Sequence, residues 1–316
     1  MKPDSQVRHA LGIDLGGTKI ASAVVTTGGA LLNKEETPTE AEDGADRVVE
    51  NLKTAVHRTV AWAAEQGLKL SGIGLAAGGS IDVNNTRVVT ATEVIPGWTG
   101  VDLMAAVDSS LPVIADNDVN AAAFGEYCLG DNKRPSSLAL VAVGTGIGGG
   151  LVIDGKVCRG ANWLAADLGH LKIVPGGRKC LCGATGCLEA YSSGWAIAGR
   201  YRETAATDES ERIDAGLVLR RAAGGDPVAT SVMDQAVDCL CLALANLIVT
   251  IDPEVLTLTG GVIERNPELI ERIEPGIESY LRKGRIGRTQ IRVSRFGRWA
   301  GVVGAACLLF KELGLG

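Results

Sequence analysis

Two stretches of the chain constrain its fold more than any other feature. Each has a short apolar run, a glycine-rich turn and a second apolar run: LGIDLGGTKIASAVVTTGGALL at 11–32 and LALVAVGTGIGGGLVIDGKV at 138–157. Apolar runs around a tight glycine turn are typical of a β-hairpin. The two starts lie about 127 residues apart. This internal repeat predicts a duplicated domain in which each copy begins with a hairpin able to bind phosphate.

Predicted strands and helices alternate along the rest of the chain. Buried strands are predicted in LSGIGLAAGG and PVIADND. EVLTLTGGVI repeats the pattern of a strand followed by two glycines, and TQIRVSRFG is the predicted last strand. Helices are predicted around 48–63, in TGVDLMAAVDSSL and VNAAAFGEYCLG, at 194–205, 213–223 and 226–250, and in AGVVGAACLLFKELG. This alternation predicts an α/β fold with mostly parallel sheets, and 316 residues fit about two domains.

Composition excludes several classes of protein. A net charge of −6 gives no basic surface for nucleic acid. No apolar run reaches the roughly 18 residues of a membrane span, and the N-terminus lacks the apolar core of a secretory signal. We therefore expect a cytoplasmic protein without structural disulfides.

Three glycine turns are candidates for binding a nucleotide. The turn DLGGTK runs from Asp14 to Lys19, and consecutive glycines let backbone N–H groups converge on an anion, although an ordinary hairpin turn has the same sequence. The segment GTGIGGG at 144–150 matches a dinucleotide fingerprint in form, but a β-branched strand follows it where the fingerprint requires a helix. With Gly260–Gly261 as a third turn, the pattern predicts a nucleotide held between two domains.

A run of polar residues closes one predicted strand. Asp116, Asn117 and Asp118 follow the apolar residues of PVIADND and precede a helix. Strand carboxyl ends face the ligand crevice of a parallel sheet, where a carboxylate can accept a hydroxyl proton during phosphoryl transfer. Asn117 could hydrogen-bond sugar hydroxyls. The alternative is that one of the three residues caps the helix.

Three of the eight cysteines form a cluster. Cys180, Cys182 and Cys187, with His170 upstream, supply a Cys₃His set suited to tetrahedral Zn²⁺. Four protein ligands predict a structural site that stiffens the loop carrying Asp167, His170 and Glu189. A redox-active thiol pair is the alternative. Cys239 and Cys241 lie in an apolar helical pattern and are predicted core residues.

These motifs resemble those of the ROK family of bacterial sugar kinases and repressors, in the actin/hexokinase-like ATPase superfamily. The matching segments, in the family's order over essentially the whole chain, are GIDLGGTKIA, NDVNAAAFGE, VGTGIGGGLV, DLGH, CLCGATGCLEAYSSG and TLTGGVI. The repressors carry an N-terminal helix-turn-helix domain. Only about ten residues precede the first predicted strand here, so the chain resembles the kinases.

The resemblance implies two actin-like (ribonuclease H-like) ATPase domains of α/β class with a ligand cleft between them. The smaller domain is expected at 1–118 plus 301–316, and the larger one, with the zinc loop, at 119–300. Closure of the domains over the sugar is expected to exclude water and align the reacting groups.

The resemblance also assigns a role to each motif residue. Asp118 is the expected general base for the 6-hydroxyl of the sugar. The expected sugar ligands are Gly79, Asn117, Asp118, Asp167, His170 and Glu189. The residues expected to hold ATP and Mg²⁺ are Asp14, Gly16, Gly17, Thr18, Lys19, Gly144, Thr145, Gly146, Gly260 and Gly261. The expected zinc ligands are His170, Cys180, Cys182 and Cys187, with the second ring nitrogen of His170 facing the sugar.

Three departures from the family pattern bear on the sugar. Asp167 stands where the family has glutamate, so its carboxylate retreats by roughly 1.5 Å, about one C–C bond, near C1 and C2 of the sugar. Gly78–Gly79 replaces the usual Pro-Gly. The family's Asn-Pro-Asn stretch is replaced by TATEVIPGW, in which Glu93 and Trp98 are expected to line the pocket instead.

The predicted function is ATP-dependent phosphorylation of a hexose at O6, with glucose as the first expectation. An N-acylmannosamine or N-acetylglucosamine kinase is the alternative within the class, and a non-catalytic sugar sensor is the alternative outside it. A polyphosphate-dependent kinase would need a basic groove, and the clustered cations of RKGRIGR at 282–288 lie far from the glycine turns in sequence. The expected partners are ATP and a small sugar, with assembly as a homodimer or homotetramer.

Overall fold

The computed structural model describes residues 7–84, 86–92, 94–131, 134–205, 212–282 and 288–315. Its strands are β1 His9–Leu15, β2 Lys19–Thr26, β3 Leu31–Pro38, β4 Leu70–Ala77, β5 Ser80–Asp82, β6 Arg87–Thr90, β7 Val113–Asn117, β8 Ser137–Val143, β9 Ile147–Ile153, β10 Lys156–Val157, β11 Val255–Thr259 and β12 Gln290–Val293. Its α-helices are α1 Ala45–Glu65, α2 Leu103–Val107, α3 Asp118–Leu129, α4 Glu189–Ser192, α5 Gly194–Thr204, α6 Ala215–Ala223, α7 Pro227–Ile251, α8 Gly261–Glu264, α9 Leu269–Tyr280 and α10 Ala300–Glu312.

The chain forms two compact units. The first contains Met1–Arg134, Gly150–Ala165 and Trp299–Gly316, and the second contains Pro135–Gly149 and Ala166–Arg298. The first unit therefore includes both the helix that begins at Asp118 and the last helix of the chain. The functional domain limits expected from the sequence, 1–118 with 301–316 and 119–300, stay a prediction.

The two five-stranded sheets share one strand order. The first is β3-β2-β1-β4-β7, and the second is β10-β9-β8-β11-β12. The central strand is β1 in the first sheet and β8 in the second, which in each case is the first strand of the repeated segment. Its hairpin partner lies on one side and a parallel strand on the other. This recurrence confirms the predicted duplication. The sheets are mixed, because β1, β2 and β3 pair antiparallel while β1, β4 and β7 pair parallel.

Side chains on alternate residues of β1 face opposite layers of the first unit. Leu11, Ile13 and Leu15 are fully buried in a cluster with residues of α1 and α2. Ala10 lies in a second cluster with residues of α10. Because side chains alternate across a strand, Gly12 and Asp14 also face the α10 layer.

Helix α10 lies unusually close to the sheet because glycine faces it at several positions. A Cβ at Gly12 would lie 2.2 Å from the Val302 carbonyl oxygen, and one at Gly74 would lie 2.0 Å from that of Ala305. On the opposite side, a Cβ at Gly304 would lie 1.7 Å from the Ala121 oxygen of α3. No side chain fits at these three contacts, so α10 is wedged between the sheet and α3.

The second unit is built around α7. By length and composition this helix could cross a membrane, but 67% of its most apolar window is buried inside the protein. It packs against α5, α6 and α9 and is thus a core helix. Cys239 and Cys241 are buried in it, as predicted.

Most predicted elements are confirmed, but several were missed: helices α4, α8 and α9 and strands β3, β5, β6 and β10. The predicted hairpins, the four strands and the helical segments coincide with elements of the structure to within a few residues. Helix α9 was not predicted, since Pro275 interrupts its sequence. Its buried residues Leu269, Ile273 and Ile277 nevertheless recur every four positions, which is a helical signal.

Candidate active site

Three parallel strands of the first unit end at one edge of the sheet and carry polar groups there. Asp14 on β1 is in register with Ala76 on β4, and Ala76 is in register with Asp116 on β7. Just beyond these positions lie the Gly78–Gly79 turn and Asp118. The structure thus brings together four of the predicted site positions: Asp14, Gly79, Asn117 and Asp118.

Asp118 is the first residue of α3 and is held in place by two donors. Its Oδ1 accepts hydrogen bonds from the Val119 amide at 2.8 Å and from Asn117 Nδ2 at 2.9 Å. Burial raises the pKa of Asp118 to about 6, although these two hydrogen bonds act in the opposite direction, and the Asp116 charge adds to the rise.

Asp14 is the second carboxylate at this edge. Burial raises its pKa to about 7, the Asp118 charge raises it further, and Lys19 acts in the opposite direction. A Cβ at Gly301 would lie 2.4 Å from Asp14 Oδ2. Glycine at the start of α10 therefore leaves the space that this carboxylate occupies.

Asn117 caps α3 with its side-chain oxygen and uses its side-chain nitrogen for two other hydrogen bonds. Its Oδ1 accepts from the amides of Val119 and Asn120 at 3.0 and 3.1 Å. Its Nδ2 donates to the Gly79 carbonyl and to Asp118 Oδ1, both at 2.9 Å. The capping alternative is thus confirmed for Asn117. Its predicted contact with sugar stays a prediction, and that contact would require one of these bonds to be exchanged.

The Gly78–Gly79 turn is fixed from two sides. Trp98, 2% exposed, donates from Nε1 to the Gly78 carbonyl at 3.1 Å, while Asn117 holds the Gly79 carbonyl. Gly79 has φ +96°, and a Cβ there would lie 2.7 Å from the Thr90 oxygen. Trp98 is therefore a buried support of the turn and was wrongly expected to line the pocket. Glu93 lies outside the described residues.

A partly buried ion pair joins Asp116, two residues before Asp118, to Arg159. Asp116 Oδ2 accepts from Arg159 Nε at 2.8 Å and from Arg159 Nη2 at 2.5 Å. Asp116 Oδ1 accepts from the Asn117 amide at 2.8 Å and from Asn120 Nδ2 at 3.2 Å. Sequence reasoning missed Arg159, because it lies 43 residues from its partner and in no motif.

The first glycine turn joins β1 to β2. The Gly16 amide donates to the Lys19 carbonyl at 3.0 Å, while the Gly16 carbonyl accepts from Thr39 Oγ1 at 2.7 Å. Gly17 and Thr18 are exposed. The Lys19 ammonium pairs with the Glu36 carboxylate on β3. The turn thus presents exposed backbone beside Asp14.

The two glycine turns of the second unit lie against each other. A Cβ at Gly144 would lie 4.0 Å from the Gly261 amide nitrogen, and a Cβ at Gly260 would lie 2.5 Å from the Val143 oxygen. Thr145 is exposed at the tip, and its carbonyl accepts from Trp195 at the start of α5. The predicted set Gly144, Thr145, Gly146, Gly260 and Gly261 is therefore brought together within this unit.

Glu189 links the second glycine turn to the cysteine cluster. Its Oε2 accepts from the Ile147 amide at 2.8 Å, and a Cβ at Gly146 would lie 2.6 Å from the same oxygen. Its Oε1 lies 4.0 Å from Cys180 Sγ. The Glu189 carboxylate therefore contacts both the glycine turn at 144–146 and the cysteine cluster.

The predicted zinc ligands converge. One ligand atom from each of His170, Cys180, Cys182 and Cys187 lies within 4.8 Å of the others. The Cys182 and Cys187 sulfurs are 3.7 Å apart, and Cys180 Sγ is 3.8 Å from His170 Nδ1. Tetrahedral ligands with Zn–S near 2.3 Å are separated by about 3.8 Å. The donor set therefore fits zinc.

Charge at the cluster also fits a cation. Burial raises the pKa of Cys180 to about 12, and the neighbouring thiols add to the rise. Lys172 Nζ lies 2.8 Å from Cys187 Sγ and also donates to the His170 carbonyl at 3.2 Å. Three thiolates around Zn²⁺ would carry a net negative charge that this ammonium offsets.

His170 presents its second ring nitrogen away from the sulfurs. Its Nε2 lies 4.0 Å from Asp167 Oδ1, and the Asp167 side chain is 56% exposed. The imidazole and the exposed carboxylate therefore border the same space, as the expected sugar ligands should.

Two sheets of one strand order, each with glycine turns beyond its strands, agree with the actin-like ATPase fold that the sequence motifs imply. A model of the ROK family matches residues 10–312, and the chain belongs to this family.

Relatives of known name cover nearly the whole chain. A glucokinase of Halalkalibacterium halodurans is 33% identical over 96% of both chains. An N-acetylmannosamine kinase of Escherichia coli is 30% identical over 96% of this chain and 99% of its own.

Two solved structures share the fold at full length. A ROK hexokinase from Thermus thermophilus is 35% identical, with a TM-score of 0.82, and covers 98% of this chain and 100% of its own. A ROK glucokinase from Streptomyces griseus, in complex with glucose and AMPPNP, is 31% identical, with a TM-score of 0.78, and covers 95% of this chain and 98% of its own.

Proposed function

We propose that this ROK-family sugar kinase transfers the γ-phosphate of ATP to the 6-hydroxyl of a hexose, with Asp118 as general base. The observation that carries the proposal is the position of Asp118. It lies at the carboxyl end of a parallel strand, fixed by two donors, with a pKa raised to about 6. Such a carboxylate is ionised at neutral pH yet basic enough to accept a hydroxyl proton.

The nucleotide would be bound by backbone and by Asp14. The exposed backbone at Gly17 and Thr18, and the paired turns at Gly144–Gly146 and Gly260–Gly261, supply N–H groups of the kind that bind phosphate. Mg²⁺ bound with ATP would neutralise charge on the phosphates. Desolvation and the Asp118 charge raise the pKa of Asp14, and a bound cation would stabilise its ionised form.

The sugar would be bound by Gly79, Asn117, Asp167, His170 and Glu189. His170 and Asp167 border one space, which supports their joint role. Zinc held by His170 and the three cysteines would stiffen this loop and fix the His170 ring through Nδ1.

Glucose is the first expected substrate, since the relatives named glucokinase match at full length. An N-acylmannosamine or N-acetylglucosamine is the second, because Asp167 is shorter than the usual glutamate and an N-acetylmannosamine kinase also matches. Assembly as a homodimer or homotetramer remains part of the proposal.

The test is ADP release with Mg·ATP over a panel of glucose, mannose, allose, fructose, N-acetylglucosamine and N-acetylmannosamine. Preference for glucose would make Asp167 a tolerated variant. Preference for an N-acyl sugar or an epimer would make Asp167 and the 91–98 segment determinants of specificity. Absence of turnover on every sugar would reject the kinase and favour a sugar sensor.

The role of Asp118 is tested by Asp118→Asn. General base catalysis contributes about 100- to 10,000-fold, so we expect kcat to fall by that factor while sugar affinity by calorimetry stays. Asp46 is the matched control, since it is also the acidic residue in the first turn of a helix but is exposed. Near-normal kcat in Asp118→Asn would remove Asp118 as the base.

A further inference from the structure

We propose that Arg159 is a positioning residue for the catalytic base and acts through Asp116. The proposal rests on the proposed function. Asp116 directly precedes the Asn117–Asp118 pair, and its side chain is 2% exposed. Its carboxylate accepts four hydrogen bonds: two from Arg159, one from the Asn117 amide and one from Asn120 Nδ2.

Because the Asp116 carboxylate is buried, it needs the ion pair with Arg159 to remain charged. A carboxylate removed from water is stable as an anion only when a cation and hydrogen-bond donors replace its hydration. Arg159 supplies both nitrogens to the same oxygen, Oδ2, and leaves Oδ1 for the backbone of the next residue. The guanidinium therefore sets the orientation of the whole carboxylate.

Hydrogen bonds connect the oriented Asp116 carboxylate to Asp118, the proposed base. Asp116 Oδ1 holds the Asn117 amide and the Asn120 side chain, which lie on either side of Asp118 in sequence. Asn117 Nδ2 then donates to Asp118 Oδ1. Three bonds thus connect the Arg159 guanidinium to the carboxylate of Asp118.

Arg159 itself is anchored. It follows β10, and its carbonyl accepts from the Ala165 amide at 3.0 Å. Its side chain is 25% exposed, so it can be exchanged with less risk to folding than Asp116 can. Loss of positioning should lower kcat, since a reacting group displaced by about 1 Å can cost about 100-fold.

Two double variants separate positioning from folding. The pair D116L/R159M replaces the ion pair with apolar groups of similar volume, an exchange that is often neutral for stability. It removes the acceptor for Asn117 and Asn120, so we expect kcat to fall about 100-fold with both KM values within about threefold. The pair D116N/R159Q keeps a side-chain acceptor, so we expect kcat within about fivefold of the parent.

If D116L/R159M does not fold, the positioning role is tested with Arg159→Lys instead. Lysine keeps the charge but cannot supply the paired nitrogens, so we expect kcat to fall about tenfold at unchanged KM. The matched control is Arg272→Lys, in the exposed pair with Asp234 on α9 and α7, which should leave kcat unchanged.

Several results would overturn the proposal. They are a folded D116L/R159M or Arg159→Lys with the parent's kcat, an equal loss of kcat in both double variants, and a rise in KM without loss of kcat. Failure of the proposed function is distinct, because the unmodified protein would then turn over no sugar at all.

Discussion

At the scale of single residues, the central feature is a pair of carboxylates at one sheet edge. Asp14 and Asp118 both have raised pKa values, about 7 and about 6, because both carboxylates are partly buried and desolvated and each lies near other negative charge. Lys19 partly offsets that charge at Asp14. The edge is therefore short of positive charge, which a bound cation would supply.

The pKa of Asp118 sets a pH dependence. The base acts when deprotonated, so kcat/KM for the sugar should be level above pH 7 and fall below about pH 6. Near pH 5 roughly one tenth of the molecules would carry the ionised base. Initial rates at saturating ATP, measured from pH 5 to 9, give the midpoint.

The control for this profile is Asp46→Asn, which should keep the midpoint. Asp118→Asn should lose it, and its residual rate should be flat through pH 6. A midpoint near pH 4 in the unmodified protein would mean that Asp118 is not the group whose ionisation limits the rate.

Site residues could be predicted from sequence where one short motif contains the complete set of ligands. The four zinc ligands lie within 18 residues, and the structure brings their ligand atoms together. Arg159 and Trp98 could not be assigned their contacts from sequence, because their partners are 43 and 20 residues away. Tertiary hydrogen bonds of this kind leave no local periodicity.

At the scale of elements, the segment before α2 supports the turn that the sugar is expected to contact. Trp98 is buried under the Gly78–Gly79 turn, and Asn117 connects that turn to Asp118. One indole N–H therefore supports the Gly78–Gly79 turn and, through Asn117, is linked to the Asp118 carboxylate.

Trp98→Phe removes this hydrogen bond while keeping an aromatic ring in the core. A net hydrogen bond is worth about 0.5–1.5 kcal/mol, so we expect KM for the sugar to rise about 2- to 10-fold. KM for ATP and kcat should change less than KM for the sugar. Steady-state kinetics with each substrate varied in turn measures the three values.

Trp62→Phe, on α1, is the matched control and should leave KM for the sugar unchanged. Equal effects of the two substitutions would mean that aromatic packing in this unit, rather than the bond to Gly78, determines sugar affinity.

The cysteine loop between β10 and α4 leads to a prediction about metal. We expect about one zinc per chain by elemental analysis, and loss of most of it in Cys182→Ser, because three ligands bind zinc more weakly than four. Loss of zinc should lower thermal stability and raise KM for the sugar through His170.

Cys158→Ser lies outside the cluster and should keep its zinc. Protein purified without chelators that contains no metal, and whose stability chelators leave unchanged, would contradict a structural zinc site and favour a thiol redox function.

Elements were predictable where periodicity and glycine turns agree, as in β1–β2 and α1. Strands β3 and β10 and helix α9 were among the elements that were not predicted. Strand β3 is only half-buried and carries charges, and β10 has two residues, so neither shows an apolar run. In α9 the buried stripe outweighs Pro275, since tertiary packing overrides local propensity.

At the scale of the whole molecule, duplication explains why the glycine turns recur. Each sheet repeats the same strand order, so each places a hairpin turn and a second glycine turn at strand carboxyl ends. The first unit carries Asp14 and Asp118, and the second carries the cysteine loop with Asp167 and Glu189. A shared fold thus carries two different chemistries.

Glycine contacts along α10 have a consequence for the order in which the protein is made. The central strands β1 and β4 lack their wedge until residues 300–312 have left the ribosome, although they are synthesised first. The second unit is complete in sequence by Arg298. The sheet of the first unit can therefore complete its packing only after the last helix has been made.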